Sequence, residues 1–217
     1  MTSYLDAQSH SSQLKDFLST LPDPSAFKGP VSLGYNLSNS TLFTQIQSAL
    51  HAFYGGVSCS ADLFLDGFDT HSDHDNKSGA LLSHLADAVE YLMSYAEQLG
   101  ISNRIVVLIS SDFSRTPYYN SSNGKDHWPI GSAVLIEQGQ AWGNRTVGLT
   151  DGQQNAIKIN PSTLKPDPNG IILYPKHIHK ALRTYLGVNG SPGAQAFPLA
   201  NTEEVSFFDP SKNSLVF

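Results

Sequence analysis

Arg104-Ile105-Val106-Val107-Leu108-Ile109-Ser110 decides the fold reading. It is a continuous apolar run rich in β-branched residues, the pattern of a parallel strand covered on both faces. Upstream, Leu82, Leu85, Val89, Leu92, Met93, Ala96 and Leu99 recur at steps of three and four. That spacing predicts an amphipathic helix, with Gly100 at its C′ position. Before the helix, Ala61 to Phe68 carries Leu63, Phe64, Leu65 and Phe68 and reads as another buried strand. Strand, helix, strand within about 50 residues is a βαβ unit with a right-handed crossover. The expected class is α/β, a mixed and mostly parallel sheet with flanking helices.

Outward from that unit the signals are shorter. Leu14, Phe17, Leu18 and Leu21 predict a short helix over Ser12 to Leu21, and Pro22, Pro24 and Pro30 then break the chain into loop. Asn39 or Ser40 caps a helix that runs to about Tyr54 on Leu42, Phe43, Ile46, Leu50 and Phe53, and Gly55-Gly56 ends it. Ser132 to Ile136 is a further strand. Gln138 to Asn169 reads as long loops with a hairpin around Thr146 to Thr150, and Gly170 to Tyr174 as a strand. Pro175 opens a helix through Leu186, with Ile178, Ala181, Leu182 and Tyr185 facing inward. Val205, Phe207, Phe208, Leu215 and Val216 pack the tail back on the domain. There are no repeats and no linker, so residues 1–217 read as one domain whose first 40 residues are irregular.

The composition narrows the partners. The 217 residues carry a formal net charge of −6 and no run of Lys and Arg, which argues against nucleic acid. No apolar run approaches the roughly 20 residues of a membrane helix. Cys59 is the one cysteine, so no intramolecular disulfide forms, and the count argues against a thiolate metal cage. It precedes a buried strand and lacks a nearby base, which favours packing over nucleophilic attack. Met1 to Leu14 has neither a basic nor an apolar signal-peptide region. Asn39-Ser40-Thr41, Asn120-Ser121-Ser122 and Asn144-Arg145-Thr146 fit the glycosylation sequon.

Ligands of open α/β sheets bind at the carboxyl ends of the strands. The first expected strand runs into Asp69-Thr70-His71-Ser72-Asp73-His74-Asp75, and the second into Ser110-Ser111-Asp112-Phe113-Ser114-Arg115-Thr116. Lys125-Asp126-His127-Trp128 leads to the next strand and can fold back over the same edge. Carboxylate and imidazole together suit a divalent cation such as zinc, manganese or magnesium. Asp69 and His71 reach one ion from a tight loop, and Asp112 and His127 arrive from other segments. The competing reading makes each a loop or helix cap. Asp73, His74 and Asp75 serve equally as solvated loop or as caps for a helix after Ser78. The planar fork of Arg115 suits a phosphate or sulfate, or a salt bridge to Asp112 or Asp126. His51, His84, His177 and His179 sit on helix faces and read as structural. Trp128 and Trp142 read as core or lid.

Three motifs in order carry a resemblance. Gly67-Phe68-Asp69-Thr70-His71 resembles the G-[FW]-D-T-H motif of domain-of-unknown-function family 1501, a bacterial and usually exported family. Ser111-Asp112-Phe113-Ser114-Arg115-Thr116 is similar to its S-E-F-G-R-T, and Asn123-Gly124-Lys125-Asp126-His127-Trp128 to its N-G-x-D-H-[GW]. The resemblance implies the alkaline phosphatase and sulfatase superfamily, and with it an alkaline-phosphatase-like core lacking its N-terminal part. It implies one or two divalent metals (zinc, manganese, magnesium or calcium), a phosphate- or sulfate-ester substrate, and a periplasmic or extracellular location. Carried over by position, Asp69, His71 and His127 match the ligands of one metal and Asp112 a ligand of a second. Arg115 orients the oxyanion. Phe113 stands where superfamily enzymes carry a ligating His, which impairs the second site. The superfamily's nucleophile lies in an N-terminal half that this chain reads as lacking, and Ser58 and Ser60 precede a strand and do not fit the role. Two functions follow as expectations. One is a metal-dependent hydrolase completed by an N-terminal half or a partner chain. The other is an exported binding or assembly module that has lost turnover.

Overall fold

The computed structural model describes residues 41–212 together with Lys15 and Ser19. The helix expected over Ser12 to Leu21, the rest of the first 40 residues with the caps Asn39 and Ser40, and the tail residues Leu215 and Val216 lie outside these, apart from Lys15 and Ser19. Two compact units emerge. One runs to Ile105 and takes in Tyr118–Asp126; the other holds Val106–Pro117 and the chain from His127 onward.

The first unit is built on two helices, α1 (Thr41–Tyr54) and α2 (His74–Gln98), followed by a 3-10 turn at Ser102–Arg104. In α1, Leu42, Ile46 and Leu50 recur every four residues and all three are buried. Phe43 meets the Tyr91 ring of α2 at 5.1 Å. His51 Nε2 lies 2.7 Å from the Tyr95 hydroxyl, and burial lowers the pKa of this histidine. The buried stripe of α2 is Ala80, Leu81, Ala88, Tyr91, Leu92, Tyr95 and Ala96. It is rotated by about one residue from the expected one: Leu82 is 54 % exposed and Leu81 is 5 %. Tyr91 and Tyr95 cause the rotation, because their rings carry more area to bury than the aliphatic positions that set the sequence pattern. The C-terminus of α2 is a Schellman motif as expected. Gly100 N–H donates to Glu97 and Ile101 N–H to Ala96.

Every strand pair among the described residues is antiparallel. In the second unit β1 (Val107–Ser110) pairs with β4 (Ala133–Ile136), β2 (Ser114–Arg115) with β3 (His127–Trp128), and β5 (Leu149–Thr150) with β6 (Ala156–Ile157). The β5–β6 pair is the hairpin expected near Thr150. Arg104 lies in the 3-10 turn, so the decisive apolar run gives a strand only from Val107 onward. Gly170 to Tyr174 contributes a single bridge, Ile159 to Ile171. Ala61 to Phe68 has no ladder. At Phe64 the N–H and carbonyl are both held by the side-chain amide of Gln45, and the Phe68 carbonyl accepts from Thr70. The expected parallel pairing is therefore not formed among these residues.

The second unit packs Ile159, Leu164, Ala181, Val205 and Phe207 around α3 (Pro175–Tyr185), with the short α4 (Pro192–Ala196) beyond. The Arg145 guanidinium donates to the carbonyls of Phe207, Asp209 and Lys212, which ties the C-terminal stretch to the loops. Trp142 is core, edge-on to Tyr185 and Phe208. His177, expected on a helix face, is 1 % exposed. Its Nδ1 accepts from the Tyr174 N–H at 2.9 Å, so its Nε2–H donates to Glu203 at 3.0 Å.

Leu81→Ala is expected to cost about 2–5 kcal/mol in urea unfolding, and Leu82→Ala less than about 0.5 kcal/mol. Equal costs would contradict the rotated stripe. The hydrogen bond from His177 holds the Glu203 carboxyl below its ordinary value. A depressed carboxyl stabilises the fold above its unfolded pKa, about 4.3, and the contribution is lost as pH falls through the folded value. Glu203→Gln is expected to flatten unfolding midpoints measured from about pH 6 down to pH 3.

Candidate functional site

The first unit assembles one cluster from two loops. The loop after Phe68 turns sharply: Thr70 N–H donates to Phe68 and His71 N–H to Asp69. Gly67 makes the turn possible, with φ at +96° and Leu81 packed 3.2 Å from where a Cβ would stand. Thr70 is almost wholly buried, and its hydroxyl sits 2.7 Å from His74 Nδ1. This anchors the turn to the first residue of α2. His71 projects from it into solvent.

The second loop, Tyr119 to Asp126, lies along the first. Ser72 and Asn123 form a bridge, and Lys125 N–H donates to the Thr70 carbonyl. Asp73 and His74 N–H donate to Ser122 and Asn123 carbonyls, so this loop satisfies two donors at the start of α2. Asp73 takes the left-handed conformation at the N-cap and makes no side-chain cap bond. The helix therefore begins at His74, four residues before the polar stretch was expected to end. Asp75 accepts from the Tyr119 hydroxyl at 2.7 Å, which raises the tyrosine pKa. Lys125 sits over the same ring. The polar residues from Asp73 to Asp75 thus hold the second loop in place.

The approach brings Asp126 to His71. His71 Nδ1 is 2.9 Å from Asp126 Oδ1, and Nε2 is 3.1 Å from Asp69 Oδ1. The imidazole stands between two carboxylates, with all three side chains about half exposed or more. Of the residues predicted for the site, Asp69 and His71 meet here. Asp126, read in the sequence as part of the Lys125 to Trp128 cluster and as a possible partner of Arg115, supplies the second carboxylate.

The second unit holds the others. Arg115 on β2 stands opposite His127 on β3. Phe113 packs on the His127 ring at 4.2 Å between centroids, with the Arg115 guanidinium 5.6 Å from the phenyl centre. Asp112 is exposed in the turn between β1 and β2, with a long 3.5 Å contact from the Ser111 hydroxyl. Trp128 donates to the Gln154 carbonyl.

Sequence reasoning missed Asn120. Its Oδ1 accepts from Ser122 and Gly124 N–H, and its Nδ2 donates to the His71 carbonyl and to Asp126 Oδ1. Its only sequence signal was membership of a sequon.

The class defined here is a protein of helices and short antiparallel ribbons that carries an exposed carboxylate–histidine cluster at the start of a long helix. The chain belongs to the family described as protein of unknown function (DUF1501), which matches residues 53–167, just over half of it. No curated protein and no solved structure matches. No helix among the described residues is long and apolar enough to cross a membrane.

A Cβ on Gly124 would lie 1.9 Å from the His71 carbonyl carbon, so Gly124→Ala must push the loops apart. It is expected to destabilise the protein by about 1–3 kcal/mol. A denaturant midpoint equal to that of the wild type would refute the tight approach.

Proposed function

We propose that this chain binds a divalent metal ion through Asp69 and His71, as a hydrolase-like protein related to phosphatases and sulfatases. One observation carries the reading: His71 held at Nδ1 by Asp126 with Nε2 turned to Asp69. Metal-ligating histidines characteristically donate their second ring N–H to a carboxylate, which fixes the tautomer. With the proton on Nδ1, the Nε2 lone pair faces a carboxylate lone pair at 3.1 Å. Only a second ring proton or a cation reconciles that pair, and the imidazole and carboxylate donors fit zinc or manganese.

His127, one peptide bond after Asp126, is the third ligand by resemblance. Three protein ligands and an open position are the arrangement of catalytic rather than structural zinc. An ion held there would supply Lewis-acid polarisation of a phosphoryl or sulfuryl oxygen. Asp126 orients His71, and Arg115, cross-strand neighbour of His127, steadies the oxyanion of a phosphate or sulfate ester. The same resemblance implies an exported setting.

The mixed, mostly parallel α/β sheet belongs to this proposal too. Leu63 and Phe64 are exposed, and Ala61 to Phe68 joins no ladder, its backbone being held at Phe64 by Gln45 and at Phe68 by Thr70. An apolar run of this kind suits a strand covered on both faces. A second reading, a binding module without turnover, is favoured by Phe113 against His127 and by the exposed Asp112, which leave a second metal without its ligand set.

Calorimetric titration with Zn²⁺ or Mn²⁺ is expected to show about one ion per chain, with affinity reduced about 100-fold or more in His71→Ala. Absence of binding, or equal affinity in the variant, overturns the metal reading. Release of nitrophenol from an aryl phosphate or sulfate by the ion-loaded protein supports the hydrolase, and ion binding without release supports the module.

A further inference from the structure

We propose that Asn120 is a positioning residue for His71, acting through Asp126. This deepens the metal-binding reading and rests on it. Asn120 has two donor hydrogens and two acceptor positions on its carboxamide, and the structure uses all four. Oδ1 accepts from Ser122 N–H at 2.9 Å and Gly124 N–H at 3.0 Å. Backbone amides only donate, so the oxygen must face them and the NH₂ must face the other way. There Nδ2 donates to the His71 carbonyl at 3.0 Å and to Asp126 Oδ1 at 3.2 Å.

Asp126 Oδ1 is the atom that receives His71 Nδ1. One carboxylate oxygen therefore accepts a hydrogen bond from the amide and another from the ring, and its direction is set by both. The amide also grips the peptide of His71, so the backbone that carries the ring and the carboxylate that aims it share one tether. The Asn120 backbone adds a bond from its N–H to the Gly124 carbonyl at 2.8 Å, which closes the loop on itself. Asn120 touches neither His71 Nε2 nor Asp69 in this arrangement. It controls the angle at which Nε2 is presented.

Asn120→Asp separates positioning from loop building. The aspartate keeps an acceptor for Ser122 and Gly124, but sets an acceptor against Asp126 and the His71 carbonyl where a donor stood. Asn120→Ser keeps a short acceptor and removes the donor without adding charge. Zn²⁺ titration of the full chain is expected to show about 10–100-fold weaker binding in both variants. Their metal-free thermal transitions are expected to stay cooperative. Wild-type affinity in a folded variant overturns the proposal, and either variant suffices if the other fails to fold. If the wild type itself binds no Zn²⁺, the metal reading fails, and Asn120 is judged on the ring-nitrogen NMR shifts of His71. A changed Nδ1 shift in the variants upholds the positioning role, and an unchanged one refutes it.

Discussion

Gly124 lies against the peptide of His71, where no side-chain carbon fits. That contact lets the Tyr119 to Asp126 loop lie flat on the turn after Phe68. The bridge from Ser72 to Asn123 and the bond from Lys125 to Thr70 follow from it. So do the loop carbonyls that meet the N–H groups of Asp73 and His74 at the head of α2. A long helix, two loops and the meeting of His71 with Asp126 share one steric condition. Were the loop held away by a methyl group, the helix would lose its backbone caps and the imidazole its orienting carboxylate.

The cluster that results is exposed, and this shapes its chemistry. Water screens the two carboxylates that flank His71, so their value lies in geometry more than in Coulomb energy. Geometry here comes from hydrogen bonds that leave little freedom, with both ring nitrogens of His71 and all four positions of the Asn120 amide engaged. Rigid turns also hold the start of α2, where Thr70 meets His74 and Tyr119 meets Asp75. The polar residues around the cluster thus serve to fix a few side chains. Arginine plays a comparable part in the second unit, where Arg145 gathers three carbonyls of the C-terminal stretch.

Particular elements show how far the sequence could be read. The helices were legible because apolar spacing, Pro175 and Gly100 are local signals. The buried face of α2 was misread by about one residue because Tyr91 and Tyr95 count as partly polar in a pattern, yet bury their rings against α1. His177 read as a structural histidine on a helix face, and its bond to Glu203, 26 residues away, could not be read from the sequence. Ala61 to Phe68 read as a strand from composition, but a strand is defined by a neighbour, and its backbone is held by the Gln45 side chain and by Thr70. Antiparallel pairing of β1 with β4 was equally invisible, since an apolar run does not state its partner's direction.

For the candidate site the division is similar. The sequence by itself determined the family, the helices α1, α2 and α3, and the presence of Asp69 and His71 in one tight turn, because these rest on residues near one another in the chain. Only the tertiary structure decided that Asp126 aims His71 and that Asn120 aims Asp126. The bonds that Asp126 and Asn120 make to His71 span 55 and 49 positions, and they exist because two loops meet at a glycine. Residue types can be read one at a time, whereas the direction of a lone pair is set only when every group around it is in place.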